Sequence, residues 1–164
     1  MLSKIMQDAL NEQIKHEFYS SYLYLAMSGY FETLNLPGFA HWMRAQSGEE
    51  YEHAMRLFDF VNDRDGSVEL QALDQPPSEF QSPLDAFQQA LEHERKISGL
   101  IHNLYALAVR EKDYPAQVHL QWFVNEQVEE EKNATQIVEQ LKLAGNDSAA
   151  LLMLDSTLGT RKGE

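Results

Sequence analysis

Apolar residues recur every three or four positions along most of the chain, with polar residues between them, which is the pattern of amphipathic helices. Five helices are predicted, at about residues 4–33, 37–63, 83–111, 114–144 and 148–158. Capping and breaking residues mark their boundaries: Ser3 and Ser82 precede helix starts, and Gly145 suits a helix end. We therefore expect an all-α protein with four long helices and a short fifth one.

The connections between these helices differ in length, and the difference indicates the topology. Tight turns join helices one and two and helices three and four, whereas residues 64–81 form an 18-residue connection between helices two and three. Such a segment reaches up to about 60 Å when extended, and a thirty-residue helix is only about 45 Å long. The connection can therefore cross the whole length of a bundle. We expect one four-helix bundle domain, residues 1–164, with helices two and three parallel.

Each long helix carries one glutamate in a heptad row that is otherwise largely apolar. The rows are Leu10, Glu17, Tyr24 and Phe31 on helix one; Met43, Glu50 and Leu57 on helix two; Phe87, Glu94, Ile101 and Ala108 on helix three; and Phe123, Glu130, Ile137 and Ala144 on helix four. Counted from the turns between paired helices, the glutamates differ in height by about one helical turn or less. We therefore expect four carboxylates in one buried layer, with His53 one turn after Glu50 beside them.

A buried layer of carboxylates is unfavourable unless something neutralises it. Burial of one unpaired carboxylate carries a penalty of several kcal/mol, and neighbouring carboxylates also repel one another. No lysine or arginine occupies any of the four rows. A single inward glutamate is most simply a protonated or hydrogen-bonded core residue. Four of them with a histidine at one level favour a bound pair of cations.

Composition narrows the choice of metal and of partners. The chain has no cysteine, which excludes disulfides, thiolate metal sites and iron–sulfur clusters. Carboxylate oxygens with one imidazole suit iron or manganese, with zinc as a competitor and calcium less well matched. The 13 basic and 26 acidic residues, a net charge of −13, make nucleic acid and anionic membranes poor partners. No apolar stretch is long enough to span a membrane, and we expect a cytoplasmic protein.

Over nearly its whole length, including the fifth helix, the chain resembles a haem-free bacterial-type ferritin subunit. The glutamates of the four rows and the Glu-x-x-His formed by Glu50 and His53 carry the resemblance. It implies one iron ion held by Glu17, Glu50 and His53. Glu50 then bridges to a second iron ion, which is held by Glu94 and Glu130.

The same resemblance assigns residues around this pair of ions. Helix four has Gln127 and Glu130 where bacterioferritins supply a second histidine, which implies two unequal iron sites with Gln127 beside the second. Tyr51 replaces the methionine that ligates haem in bacterioferritins, so haem is not expected. Tyr24 resembles the tyrosine that neighbours the di-iron centre of this family. The alternative is that Tyr24 is an ordinary core tyrosine bonded to a carboxylate. One residue can have both roles.

A third iron position near the inner surface is also implied by the resemblance. Its ligands are Glu49, Glu126 and Glu129, which stand at the matching places. The runs that contain them, SGEEYEH and NEQVEEEK, are equally typical of solvated helix faces. Solvent exposure is therefore the alternative for each of these three glutamates.

The function that the resemblance implies is iron storage and detoxification. A ferroxidase centre oxidises Fe(II) with O₂ or peroxide, and Fe(III) is deposited as hydrated ferric oxide inside a 24-subunit cage. The fifth helix, SAALLMLDSTL, is apolar enough to need a partner surface. Two alternatives stay open. One is a rubrerythrin-like di-iron oxidase or peroxidase without storage, against which the missing Cys-x-x-Cys tail counts, and the other is a non-enzymatic helical interaction bundle.

Overall fold

The computed structural model describes residues 1–163 and contains five α-helices and no strand over that range. They are α1 (Lys4–Thr33), α2 (Pro37–Asp63), α3 (Pro83–Arg110), α4 (Tyr114–Ala144) and α5 (Ser148–Leu158). The predicted all-α class, a four-helix bundle with a short fifth helix, is confirmed. α3 ends one residue before the expected boundary, because Glu111 forms its C-cap and Lys112 takes a left-handed φ of 55°. No helix in the described part of the chain is long and apolar enough to cross a membrane.

Side chains satisfy the first turn of four of the helices. The hydroxyl of Ser3 caps α1 and that of Ser82 caps α3, each accepting the N–H three residues later. The carboxylates of Asp113 and Asp147 cap α4 and α5 in the same way. α2 is the exception, because its N-cap residue Leu36 has no side-chain acceptor. Its first turn therefore needs an acceptor from elsewhere in the fold.

α2 and α3 run in the same direction. The ring centroids of Phe39, near the start of α2, and Phe87, near the start of α3, lie 5.7 Å apart. Both rings also pack against Phe31 at the end of α1. At the opposite end of the bundle, Arg64, directly after α2, pairs with Asp113 before α4 through N–O distances of 2.8 and 3.2 Å. α1 is therefore antiparallel to α2, and α3 is antiparallel to α4.

The long connection between α2 and α3 crosses the bundle along α1. Near its beginning, the buried amide of Asn11 donates to the Ser67 carbonyl at 3.0 Å and accepts from the Glu69 N–H at 2.9 Å. Near its end, Phe80 packs edge-on against Tyr30, with ring centroids 5.2 Å apart. The connection has no regular secondary structure, and these contacts attach it to α1 near both ends of that helix.

A polar layer at mid-height divides the core into two apolar clusters. One cluster includes Tyr24, Met27, Phe31, Phe39, Met43, Phe87, Ile137 and Leu141. The other includes Leu10, Ile14, Leu57, Val61, Ile97, Ile101, Leu120 and Phe123. On every long helix the residues between the two clusters are polar and buried: Glu17 and Ser20, then Gln46, Glu50 and His53, then Glu94, then Gln127 and Glu130. The bundle therefore holds these polar side chains at one depth.

Candidate metal centre

Five metal-ligating side chains converge from all four long helices. Glu17 comes from α1, Glu50 and His53 from α2, Glu94 from α3 and Glu130 from α4. None of the five is more than 5% exposed to solvent. Glu50 and His53 share one helix face because they are three residues apart. The apolar residues one heptad to either side bury each carboxylate, since they commit that face to the core.

The five side chains form overlapping groups with the spacing of metal ligands. Glu17, Glu50 and His53 each offer an atom within 4.8 Å of the others, and so do Glu50, Glu94 and Glu130. Glu50 belongs to both groups. The geometry therefore accommodates two neighbouring cations with one carboxylate between them. Hard oxygen ligands with one imidazole are a donor set that fits iron.

Two glutamines orient three of the carboxylates. The amide of Gln13 donates to Glu17 Oε1 at 3.1 Å. The amide of Gln46 donates to Glu50 Oε1 at 3.0 Å and to Glu130 Oε2 at 2.7 Å, which links α2 to α4. These neutral donors fix the carboxylates without neutralising their charge. The layer is therefore preorganised, and these donors supply no positive charge that could replace a metal cation.

Glu94 is oriented by α1 and α4. The hydroxyl of Tyr24 donates to Glu94 Oε1. The amide nitrogen of Gln127 lies 3.1 Å from Glu94 Oε2 and 3.2 Å from the Glu94 carbonyl. The structure thus places both Tyr24 and Gln127 against Glu94, on the side of the layer that the sequence predicted for the second cation. Their contacts make them positioning groups for this carboxylate.

The metal-free layer holds protons at neutral pH. Burial raises the pKa of Glu17 to about 7, and burial with repulsion from Glu94 raises the pKa of Glu130 to about 9. The pKa of Glu50 is raised well above its ordinary value, first by burial and then by the negative charge of Glu94. No lysine or arginine within residues 1–163 forms a salt bridge with any of the four carboxylates.

Glu17 has one buried carboxylate oxygen that the protein's own donors do not satisfy. Its Oε2 is fully buried and accepts no hydrogen bond from an amide, hydroxyl or backbone N–H donor, while Oε1 accepts from Gln13. An unsatisfied buried carboxylate oxygen is rare in folded proteins and needs an explanation. A cation held between Glu17, Glu50 and His53 supplies one, because it satisfies this oxygen and offsets the charge of the layer.

His53 is in the form that binds metals. Burial, with a smaller effect of the nearby Arg56 charge, lowers the pKa of His53 to about 4, so the imidazole is neutral at pH 7. Its Nδ1 lies 3.0 Å from Glu50 Oε2 and its Nε2 lies 3.9 Å from Glu126. The Trp122 ring packs edge-on at 5.3 Å between centroids and restricts the imidazole.

The three glutamates predicted for a third cation border an open pocket next to the buried layer. We call it the acidic pocket and define it by Glu49, Glu126, Glu129 and Glu130. Its volume is about 280 Å³. Glu49 and Glu126 are half-buried and Glu129 is exposed. His53, Glu126 and Glu130 again offer atoms within 4.8 Å of one another, so the pocket is continuous with the buried layer.

Several residues of the centre had no role assigned by the sequence. Neither Gln13 nor Gln46 was assigned a role from the sequence, and their carboxylate partners are evident only from the structure. His93, whose partner could not be inferred, has its Nε2 2.7 Å from the hydroxyl of Ser20 and its ring against Tyr24. Arg161 carries no local signal at all, and it reaches the acidic pocket only because of the path of the C-terminal segment.

Comparison with known proteins decides the family. The sequence matches the ferritin-like domain family over residues 7–144, and it is 45% identical over 161 residues to a bacterial non-heme ferritin of Bacteroides fragilis. That alignment covers 98% of this chain and 100% of the relative. The chain belongs to the ferritin family.

Other ferritins agree in sequence and in structure. A bacterial non-heme ferritin of Staphylococcus aureus is 36% identical over 161 residues, which cover 98% of this chain and 97% of the relative. An engineered closed form of the Archaeoglobus fulgidus ferritin matches with a TM-score of 0.99 and 51% identity, and both chains are covered completely. The open-pore ferritin of the same archaeon matches with a TM-score of 0.98 over 99% of this chain. The resemblance stated from the motifs is therefore confirmed.

Proposed function

We propose that this ferritin stores iron by oxidising Fe(II) at the buried carboxylate layer and depositing Fe(III) as hydrated ferric oxide inside a multi-subunit cage. Iron is thus both the substrate and the cargo of the protein. The observation that supports this proposal most directly is the arrangement of Glu17, Glu50 and Glu94 around a shared centre with His53 and Glu130. This arrangement is rich in carboxyl groups, buried and preorganised, and Glu17 Oε2 accepts no hydrogen bond from an amide or hydroxyl donor.

The protein residues have separate tasks in this proposal. Glu17, Glu50 and His53 bind one Fe(II), and Glu94 and Glu130 bind the second, with Glu50 between them. Binding displaces the protons that the metal-free carboxylates hold at neutral pH, since cations and protons compete for the same oxygens. Carboxylates stabilise Fe(III) more than Fe(II) because they are hard, charged ligands, and this favours loss of one electron from each ion.

Two electrons leave the iron pair in each turnover. They reduce O₂ with two protons to hydrogen peroxide, or peroxide with two protons to water. Closely held ions allow both electrons to be delivered to one oxidant molecule. The apolar clusters above and below the layer limit the access of water to it.

The acidic pocket supplies a route away from the centre. Glu130 belongs both to the buried layer and to the pocket, and Glu126 lies near His53. We propose that Glu49, Glu126 and Glu129 bind a third iron ion there, between the centre and the site of deposition. The open pocket suits transfer better than storage, because ions held partly by exposed carboxylates exchange readily with solvent.

Storage also requires assembly, and this chain has apolar surface available for it. Leu152 and Met153 on α5 are 58% and 73% exposed in the single subunit. Tyr22 and Leu25 on α1 are 50% and 48% exposed. Side chains of this kind are commonly covered by a partner surface. We propose that they are buried between subunits of a 24-subunit cage.

Anaerobic titration with Fe(II), followed by admission of air, tests the function. We expect saturable binding of two Fe(II) per subunit at the buried layer, oxygen consumption after mixing, and iron that elutes with a large assembly on gel filtration. Absence of saturable binding would favour the interaction bundle. Oxidation by a small oligomer that retains no iron would favour a rubrerythrin-like enzyme.

A further inference from the structure

The C-terminal segment places a cation at the acidic pocket. After α5 the guanidinium of Arg161 lies 2.9 Å from Glu49 Oε2 and donates to Gln46 Oε1 at 3.0 Å. It also donates to the Trp42 carbonyl at 3.2 Å and lies over the Trp42 ring at 4.3 Å from the centroid. A guanidinium with this many partners is held in one place and is not a loosely attached surface charge.

The fold fixes the path of this segment along α2. Asp155 on α5 accepts the Phe39 N–H at 2.9 Å, and Nε2 of His41 donates to the Arg161 carbonyl at 2.7 Å. Three successive contacts on α2, at residues 39, 41 and 42, thus guide the tail to Gln46 and Glu49. The position of the Arg161 charge is a consequence of how α5 docks.

The ion pair of Arg161 and Glu49 is largely removed from solvent. The two side chains are 16% and 13% exposed. Gln46 accepts from Arg161 through its oxygen and donates through its nitrogen to both Glu50 and Glu130. One amide therefore connects the guanidinium to two ligands of the buried layer. A positive charge in this position acts on the pocket directly and on the layer through one side chain.

We propose that Arg161 is an internal counter-cation that competes with a metal ion for the acidic pocket. This inference rests on the proposed function, because it concerns the regulation of the same site. In the metal-free protein the guanidinium offsets part of the repulsion around Glu49. A cation bound by Glu49, Glu126 and Glu129 replaces that ion pair, so filling the pocket releases Arg161 and loosens the tail.

Two consequences follow from competition between the guanidinium and the metal. Removal of the Arg161 charge strengthens cation binding in the pocket and leaves the buried ligand set intact. Reciprocally, metal binding in the pocket weakens the binding of Arg161 there by the same free energy. The coupling between two binding events is symmetric. The tail thereby senses whether iron occupies the pocket.

Calorimetric titration with Zn(II), which cannot be oxidised, measures the first consequence. The variants are Arg161→Gln, which removes the charge, and Arg161→Lys, which retains it. Lys142→Gln is the control, because it removes one positive charge 13 residues beyond Glu129 on α4, about 20 Å away along the helix. Binding to the buried layer and to the pocket is separated by repeating each titration with Glu50→Ala, which disrupts the layer.

We expect Arg161→Gln to bind Zn(II) in the pocket about tenfold more tightly than wild type, as removal of one nearby positive charge implies. Arg161→Lys should bind with an affinity between those of wild type and Arg161→Gln, because lysine keeps the charge but not the guanidinium contacts, and Lys142→Gln should resemble wild type. Equal pocket affinities in wild type and Arg161→Gln would overturn the proposal. Loss of binding to the buried layer in wild type would instead contradict the proposed ferroxidase function.

Hydrogen exchange of the wild-type protein tests the second consequence without a substitution. We expect the backbone amides of residues 160–163 to exchange faster after Zn(II) fills the pocket than before. Glu129→Gln, which weakens the pocket and leaves the Arg161 contacts in place, should show a smaller increase. Unchanged or slower exchange of the tail at saturating Zn(II) would show that metal and guanidinium do not compete.

Discussion

Asp155 on α5 caps α2, because its carboxylate accepts the backbone N–H of Phe39 at 2.9 Å in the first turn of that helix. The α2 N-cap residue, Leu36, provides no acceptor of its own. Gly38 lets the two helices approach closely, since a Cβ atom there would overlap the backbone of Asp155. The start of the helix that carries Glu50 and His53 therefore depends on a residue 116 positions away from Phe39 in the sequence.

Replacement of Asp155 by alanine should destabilise the metal-free protein by about 1–2 kcal/mol, the usual loss for a helix N-cap. The reason is that the Phe39 N–H stays buried without an acceptor. Guanidinium denaturation followed by circular dichroism measures the change. Asp74→Ala is the matched control, because Asp74 is exposed in the long connection. Equal effects of the two substitutions would show that the cap contributes nothing specific.

Replacement of Gly38 by alanine tests the same contact from the other side. A methyl group at this position meets backbone atoms of Asp155, which cannot rotate away as a side chain can. We expect a loss of about 1–3 kcal/mol, typical of overpacking at a tight contact. Gly48→Ala is the control, because a Cβ atom at Gly48 meets nothing within 4 Å. A neutral Gly38→Ala variant would contradict the close docking of α5 on α2.

Replacement of Glu17 by glutamine should separate stability from metal binding. The neutral amide removes a buried carboxylate whose Oε2 accepts from no amide, hydroxyl or backbone N–H donor, so the metal-free protein should melt at a higher temperature than wild type. The same change removes one predicted iron ligand. Because changes in outer-shell residues alone reduce metal affinity or activity about 10–100-fold, oxidation of Fe(II) should slow at least as much.

Glu52→Gln is the matched control for this separation. Glu52 is exposed on the same helix as Glu50 and lies outside the layer. Its variant should show wild-type melting and wild-type oxygen consumption. The role given to Glu17 would be wrong if Glu17→Gln assembled normally and oxidised Fe(II) at the wild-type rate.

The stability of the metal-free protein should fall as pH rises from about 7 to 9. The pKa of Glu17 is about 7 and that of Glu130 about 9 in the fold, both above the value of 4.5 for a solvated glutamate. Above pH 7 the buried histidines, whose pKa values are lowered by burial, are neutral in both the folded and the unfolded states. The folded state therefore holds more protons than the unfolded state in this range, and each extra proton lowers the free energy of unfolding by up to about 1.4 kcal/mol per pH unit.

Denaturation at pH 7, 8 and 9 measures this slope. Saturating Zn(II) should flatten or reverse it, because a bound cation keeps the carboxylates ionised in the fold. The double variant Glu17→Gln with Glu130→Gln should show a smaller slope than wild type in the absence of metal. A metal-free wild type that gains stability toward pH 9 would contradict the raised pKa values.

The depth of the layer could be predicted from sequence because helical geometry is regular. Residue counts from two tight turns place Glu17 level with Glu50 and Glu94 level with Glu130, and the structure buries all four together. Glu49, Glu126 and Glu129, the predicted ligands of a third iron ion, were identified only by resemblance. A helix with several adjacent glutamates does not reveal which of them face a pocket. In the structure, all three glutamates line one pocket.

Contacts made through the fifth helix could not be predicted in this way. The relation between Asp155 and Phe39 depends on the direction in which the chain leaves Gly145, which has a positive φ of 55°. Arg161 follows α5 in a polar tail whose composition is typical of solvent-exposed ends. Its place beside Glu49 arises from tertiary docking, and no periodic pattern encodes it.

Replacement of Tyr24 by phenylalanine should weaken the iron site that contains Glu94 and leave the other site intact. Burial and the charge of Glu94 raise the Tyr24 pKa well above 10, so the hydroxyl is protonated and donates to Glu94. Without it, Glu94 is held by Gln127 alone, and Fe(II) affinity at that site should fall about tenfold, as for other lost outer-shell bonds. Anaerobic calorimetry should show one tight and one weakened Fe(II) site per subunit, with slower oxidation. Tyr114→Phe, at an exposed position of α4, is the control, and equal behaviour of the two variants would show that the bond to Glu94 does not orient a ligand.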